Sequence, residues 1–163
     1  YNLLLKDDKM FPYILIARDH PYPQLLKHRG SRKREGLYFG PFASTGAVYE
    51  TIHALQKVFQ LRTCKDSVFS TRSRPCLQYQ IKRCSAPCVG KISEPDYAHH
   101  IKQAENFLYG RTQGIQQELA GQMQAASEAQ EYEKAAIYRD RIRALTHIQS
   151  KQDINVAGLD DAD

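Results

Sequence analysis

The sequence lacks tryptophan and has only two methionines among its 163 residues. It also lacks long apolar runs: the longest spans residues 13–17, far short of the roughly 20 apolar residues that a membrane-spanning helix needs. No charged and then apolar leader precedes that run, so export is not expected. With 42% hydrophobic and 25% charged residues, the composition is that of a globular chain. We therefore expect a cytoplasmic protein with no membrane partner.

Cysteine is absent outside one short segment, residues 64–88. In a reducing compartment two structural disulfides are not favoured, and four thiolates without a nearby histidine suit an iron–sulfur cluster or zinc. Structural zinc usually uses two closely spaced pairs, whereas only the last two cysteines here are close, which favours the cluster. The predicted ligands are Cys64, Cys76, Cys84 and Cys88. Basic residues that favour thiolates surround them: Arg62, Lys65, Arg72, Arg74, Lys82, Arg83 and Lys91.

Acidic residues are scarce in the first part of the chain. Residues 1–92 carry 16 Lys and Arg against 6 Asp and Glu, a balance of +10, whereas residues 93–163 carry 7 against 12, a balance of −5. This division predicts two modules with different partners, and a polyanion is the natural partner of the basic one. No recognition helix is visible, so we expect phosphate contacts without sequence preference. The predicted DNA-binding residues are Arg29, Arg32, Lys33, Arg34, Arg72, Arg74, Lys82 and Arg83.

The pattern of apolar residues predicts an α+β fold that begins with strands. Residues 11–17 are rich in β-forming side chains, and Pro12 beside them indicates an edge strand. The basic residues at 27–34 predict an exposed loop, and residues 37–42 predict a second, aromatic strand. Ser44 or the next residue is predicted to cap a helix with an apolar stripe.

The rest of the chain is predicted to be irregular and then helical. Helical and strand periodicity is lost between residues 62 and 89, where only residues 76–84 predict a short helix. Ser93 is a capping residue that begins a longer helix. Two more helices, from about residues 112 and 131, are joined by a short turn and are predicted to fold back as an antiparallel hairpin.

Four segments of the sequence match motifs of one family. They are YNLLLKDDK at 1–9, YFGPF at 38–42, RSRPCLQYQI at 72–81 with the two cysteines that follow, and EYEKAA at 131–136 followed by RDRI. On these motifs the chain resembles the UvrC family, the C subunit of the bacterial UvrABC nucleotide excision repair endonuclease. The cysteine block is the most specific part, and the motifs occur in the expected order.

UvrC proteins join a GIY-YIG nuclease, a cysteine-rich segment, a UVR hairpin, an RNase H-like nuclease and helix-hairpin-helix modules. The resemblance implies that this chain is a fragment without either nuclease centre, so no catalytic residue is assigned and the fragment alone is expected to be inactive. The implied segments are 1–60, the end of the GIY-YIG domain with a strand–helix unit; 61–92, the iron–sulfur segment; 93–111, a connecting helix; 112–150, the UVR hairpin; and 151–163, a linker.

The resemblance also implies a cofactor and two partners. A [4Fe–4S] cluster is expected at the four cysteines, and the hairpin is expected to bind the matching hairpin of UvrB on damaged double-stranded DNA. Tyr132 occupies the family's aromatic position, while Gln130 replaces a common leucine and weakens the apolar patch. The alternative is an independent zinc-stabilised nucleic-acid-binding module. The residues assigned to UvrB binding are Tyr132, Ala135, Ala136, Arg139, Asp140 and Ile142.

Overall fold

The computed structural model describes residues 11–161, with side chains described up to residue 151. The YNLLLKDDK motif at 1–9 therefore lies outside the described residues. Three strands form one antiparallel sheet: β1 (Tyr13–Ala17), β2 (Leu25–His28) and β3 (Gly36–Phe39). In the described part the helices are α1 (Thr45–Phe59), α2 (Asp66–Thr71), α3 (Leu77–Gln80), α4 (Glu94–Leu108), α5 (Gln113–Glu128) and α6 (Tyr132–Asp161), with a 3-10 turn at Pro87–Val89. The predicted α+β class is confirmed.

The first strand lies at the centre of the sheet. The strand order is β2-β1-β3, and Ile14 stands opposite Lys27 on one side and Phe39 on the other. The prediction of an edge strand was therefore wrong. Pro12 precedes the strand, which begins at Tyr13, so its missing N–H removes no bond from either ladder. Lys27, predicted to lie in a loop, belongs to the edge strand β2.

Two serine capping signals in the sequence correctly place the beginnings of α1 and α4. The Ser44 hydroxyl accepts a hydrogen bond from the Ala47 N–H at 3.1 Å and begins α1, and Ser93 caps α4 in the same way at 3.3 Å. The predicted apolar stripe of α1 is buried, from Val48 to Phe59. These helices therefore form where local chemistry and burial agree.

The helical hairpin shares one hydrophobic core with the sheet. Helices α5 and α6 fold back on each other as predicted, through a turn in which Gln130 adopts a left-handed conformation, φ 63°. Leu145 and Ile148 of α6 are 0% and 3% exposed and belong to the core cluster that also holds residues of β1 and α1. The hairpin is thus fixed to the sheet and α1, which together form the body of the molecule. Helix α6 continues to Asp161, through residues where the sequence predicts a linker.

None of the helices that the structure describes is both long and apolar enough to cross a membrane.

Candidate cysteine-rich site, basic surface and helical hairpin

Arg62 fixes the beginning of the cysteine-rich segment, residues 61–92. Its side chain is 1% exposed, and its Nε donates to the Tyr22 carbonyl at 2.6 Å. Its Nη1 donates to the Cys64 carbonyl at 2.7 Å, and its Nη2 to Asp66 Oδ1 at 2.6 Å. Its guanidinium carbon also lies 4.9 Å from the centroid of the Phe69 ring. A buried cation is tolerated only with such partners, so this network holds the Cys64 backbone against the body.

A buried tyrosine of α4 extends this network to the connection between β1 and β2. The Tyr97 hydroxyl accepts a hydrogen bond from the Arg62 N–H at 3.1 Å and donates one to the Pro23 carbonyl at 2.6 Å. Burial raises the pKa of Tyr97 well above its ordinary value, so the hydroxyl stays protonated and can donate. The hydrogen bond from Arg62 lowers the pKa of Asp66, which keeps the carboxylate charged as its partner.

The later part of the segment is tied to the end of α1. Ser85 donates from both its N–H, at 3.1 Å, and its hydroxyl, at 2.9 Å, to the Gln60 carbonyl. The Gln60 side-chain amide donates to the Lys82 carbonyl at 3.2 Å. Lys82 and Ala86 both adopt left-handed conformations, with φ of 62° and 52°. Positive φ is costly for residues other than glycine, and these hydrogen bonds help to hold the segment in its turns.

The structure adds one helix to the region that was predicted to be irregular. The short helix expected between residues 76 and 84 is present as α3, Leu77–Gln80, but α2, Asp66–Thr71, was missed. Because α2 has six residues and buries none of them, it carries no apolar stripe from which sequence periodicity can identify it.

None of the four cysteines forms a disulfide, and the pKa values of Cys84 and Cys88 are raised. Burial raises the pKa of Cys84 to about 11, and the charges of Cys76, Cys64 and Cys88 contribute to the rise. Burial also raises the pKa of Cys88, again with contributions from Cys64 and Cys76. The Ala86 N–H donates to Cys84 Sγ at 3.4 Å. Without a metal, Cys84 is therefore a protonated thiol at neutral pH, and a metal that binds it must displace the proton.

The chemistry of the cysteine-rich segment fits a soft metal centre, because it supplies four thiols and each is a suitable ligand. Among the residues the structure describes, no group of three or more His, Cys, Asp or Glu side chains is close enough to hold one metal ion. Binding of a cluster or of zinc by Cys64, Cys76, Cys84 and Cys88 thus stays a prediction from the sequence.

Three of the predicted DNA-binding arginines have protein partners. Arg34 donates to the two carboxylate oxygens of Asp19 at 2.7 and 3.0 Å, which lowers the pKa of Asp19. Arg29 donates to the Thr45 hydroxyl at 2.8 Å. The guanidinium of Arg32 lies 4.8 and 5.3 Å from the ring centroids of two tyrosines. Of the eight predicted DNA-binding residues, Arg34 is half-buried and the other seven are exposed: Arg29, Arg32, Lys33, Arg72, Arg74, Lys82 and Arg83.

The residues assigned to UvrB binding differ in the solvent exposure of their side chains. Tyr132, at the beginning of α6, is 65% exposed. Arg139 and Asp140 are exposed and form an ion pair with each other at 3.5 Å. Ile142 is partly buried and packs against the core. Ala135 and Ala136 are partly buried as well.

Next to Tyr132 lies a groove of about 850 Å³ that the hairpin shares with the cysteine-rich segment. Its hairpin side includes Tyr132, Ile137 and Tyr138, and its other side includes Gln60 and Lys82. The hairpin tip and the cysteine-rich segment therefore present one continuous surface.

The chain thus combines a basic α+β body, a four-cysteine segment tied to it and a helical hairpin with an exposed aromatic residue. Residues 11–107 match the family model of the UvrC/Cho excinuclease middle domain, and residues 115–147 match the UvrB/uvrC motif. The chain belongs to the UvrC family of nucleotide excision repair proteins, which confirms the resemblance seen in the sequence.

Curated relatives align with this chain over its full length. It is 61% identical to the UvrABC system protein C of Ruegeria sp. (strain TM1040) and 62% identical to that of Cereibacter sphaeroides, over all 163 residues and 26% of each relative. Identity to the protein of the same name from Paramagnetospirillum magneticum is 59%, with the same coverage. The chain thus spans about a quarter of the length of these relatives. No solved structure matches it significantly.

Proposed function

We propose that this chain is the non-catalytic middle part of an excision endonuclease that incises damaged DNA on both sides of a lesion, in the cytoplasm. In this role it connects the nuclease to UvrB and holds a basic surface against DNA. Support comes from its membership of the UvrC family and from its UvrB/uvrC motif at residues 115–147. The observation that carries the proposal is the hairpin: the later part of its second helix is buried in the core, and the beginning of that helix exposes Tyr132.

The hairpin has separate docking and binding ends. Leu145 and Ile148 fix the later part of its second helix in the core, while Tyr132 at the beginning of that helix is exposed. A second hairpin can pack there to complete a small four-helix bundle. An aromatic side chain at the centre of such a contact commonly provides much of the binding free energy. Tyr132 is therefore the proposed anchor for UvrB.

The cysteine-rich segment is proposed to bind a [4Fe–4S] cluster through its four thiolates. A cluster bound there cross-links four points of an irregular basic segment, so the segment loses little conformational entropy when it meets DNA. Arg62 and Ser85 support this role because they already fix the beginning and the later part of the segment to the body.

The basic surface is proposed to contact damaged double-stranded DNA through its phosphates. Arg72, Arg74, Lys82 and Arg83 have exposed side chains on the cysteine-rich segment. Arg34 is the weakest candidate, because Asp19 already neutralises its charge. Contacts of this kind position a protein on DNA without reading its sequence.

Binding of UvrB by the variant Tyr132→Ala tests the proposed function. Calorimetry with UvrB is expected to show a loss of about 2 kcal/mol, or roughly 30-fold in Kd, because a central aromatic contact is removed. Far-UV circular dichroism is expected to be unchanged, since Tyr132 is exposed. The matched control is Tyr109→Ala, which removes another exposed tyrosine, located after α4. Equal affinities of Tyr132→Ala and the unmodified chain would exclude the hairpin tip as the UvrB site.

A further inference from the structure

A second groove lies between β2, α1 and α6. Its volume is about 880 Å³. The edge strand β2 contributes Lys27, and α1 contributes Tyr49, His53 and Lys57. Arg83 of the cysteine-rich segment also lines it. Of these five side chains only Arg83 was among the DNA-binding residues predicted from the sequence.

The groove contains an aromatic platform. Tyr49 is 45% exposed, and its ring stacks on that of His53, one helical turn later, with centroids 6.2 Å apart and an interplanar angle of 29°. The exposed ammonium of Lys27 lies 5.8 Å from the centroid of the Tyr49 ring. Aromatic rings beside a cation are the arrangement on which nucleic-acid bases stack, with the cation next to the phosphate.

The charge of the groove is positive. Lys27, Lys57 and Arg83 are exposed, and none has a carboxylate partner within 4.0 Å among the residues with described side chains. Glu50 also lines the groove, but it receives a hydrogen bond from Lys151 at 2.6 Å and lies 3.6 Å from His147. The lysine contact neutralises this carboxylate, so the groove attracts an anionic ligand.

Stacking on Tyr49 requires a base whose face is free, and in a duplex both faces are covered by neighbouring bases. We propose that the groove between β2, α1 and α6 binds a single strand of DNA, with a base on the Tyr49–His53 platform and phosphates on Lys27, Lys57 and Arg83. This inference rests on the proposed role of the chain in DNA repair. It adds a binding site for the unpaired strand beside the surface proposed for the duplex.

Two labelled probes, a 12-nucleotide oligo(dT) and a 12-base-pair duplex, test the groove by fluorescence anisotropy. Tyr49→Ala is expected to weaken oligo(dT) binding about 10-fold, since stacking on one aromatic contributes that much per base, and to change duplex binding less than twofold. Tyr49→Phe keeps the ring and is expected to stay within twofold of the unmodified chain. The control Tyr109→Ala is expected to bind both probes normally.

Lys57→Gln provides a second, independent readout. It is expected to reduce the log–log salt slope for oligo(dT) by about 0.7, the value for one phosphate contact on a single strand. Lys102→Gln, an exposed lysine on α4, is the matched control and is expected to leave the slope unchanged.

The outcomes separate the groove from the proposed function. Duplex binding with no oligo(dT) binding, or oligo(dT) binding that Tyr49→Ala does not weaken, would overturn the groove alone. An equal loss on both probes would also overturn it, because the platform would then not select unpaired bases. Failure of the unmodified chain to bind either probe would overturn the proposed DNA-binding role as well.

Discussion

Two arginines of similar sequence context have opposite environments in this molecule. Arg62 is buried and donates to Tyr22, Cys64 and Asp66, whereas Arg72, ten residues later, is exposed. The sequence suggested the same role for both, as cations near the thiolates. The difference arises from partners 40 and 35 residues away in the chain, Tyr22 and Tyr97, and local sequence does not indicate such contacts.

Replacing Arg62 is expected to destabilise the fold strongly. Arg62→Met leaves the partly buried carbonyl oxygens of Tyr22 and Cys64 without their donor, and the free energy of unfolding is expected to fall by about 3 kcal/mol in a denaturant titration. Arg62→Lys keeps the charge but replaces the planar fork by one ammonium, so an intermediate loss is expected. Arg72→Met is the control and is expected to change stability by less than about 0.5 kcal/mol. A loss for Arg62→Met no larger than that of Arg72→Met would contradict the structural role.

Among the secondary-structure elements, those with caps and long apolar stripes were predictable from the sequence. Helices α1 and α4 follow this rule, because a serine cap and apolar residues at helical spacing occur together there. The hairpin was predictable from its apolar stripes, since Thr112 at the beginning of α5 makes no capping hydrogen bond with its side chain. The central position of β1 was not predictable, since strand order depends on pairing with β2 and β3 rather than on the strand itself. The short helix α2 has no buried face that marks it.

The cysteine-rich segment is expected to carry iron when the protein is purified without oxygen. The proposed cluster predicts a brown protein that absorbs at about 400 nm, the region of iron–sulfur charge transfer, with iron measurable by elemental analysis. Cys84→Ser is expected to lose the colour and most of the iron, because it removes one of the four thiolates. The control Ser73→Ala, in the same segment, is expected to keep both. A colourless protein with stoichiometric zinc would contradict the proposed cluster and support the zinc alternative.

At the scale of the whole molecule, the sheet, α1 and the hairpin form one body. The charge division in the sequence predicted two modules, and the hairpin itself was predicted from its apolar stripes. Its docking against α1 was not predicted, because Leu145 and Ile148 have the same spacing whether they close the hairpin alone or also enter a shared core. The sequence identified the candidate cysteines and basic residues, whereas the Tyr49 platform required the structure.

The basic body as a whole is expected to bind duplex DNA with a strong dependence on salt. If about four phosphates are neutralised, the log–log plot of the binding constant against salt between about 50 and 200 mM should have a slope near −3.6. Arg72→Gln is expected to make the slope less steep by about 0.9. Arg111→Gln removes an exposed arginine from the acidic part of the chain and is the control. A flat salt dependence would remove duplex DNA from the proposed partners.

The continuity of α6 has a geometric consequence. A helix of 30 residues is about 45 Å long, and this one runs from the exposed Tyr132, past the docking point at Leu145, to Asp161. Its middle is fixed in the hydrophobic core through Leu145 and Ile148. Because an α-helix has a fixed rise and rotation per residue, the separation of Tyr132 from the last turn of α6 and the angle between them are set by the number of residues that lie between them.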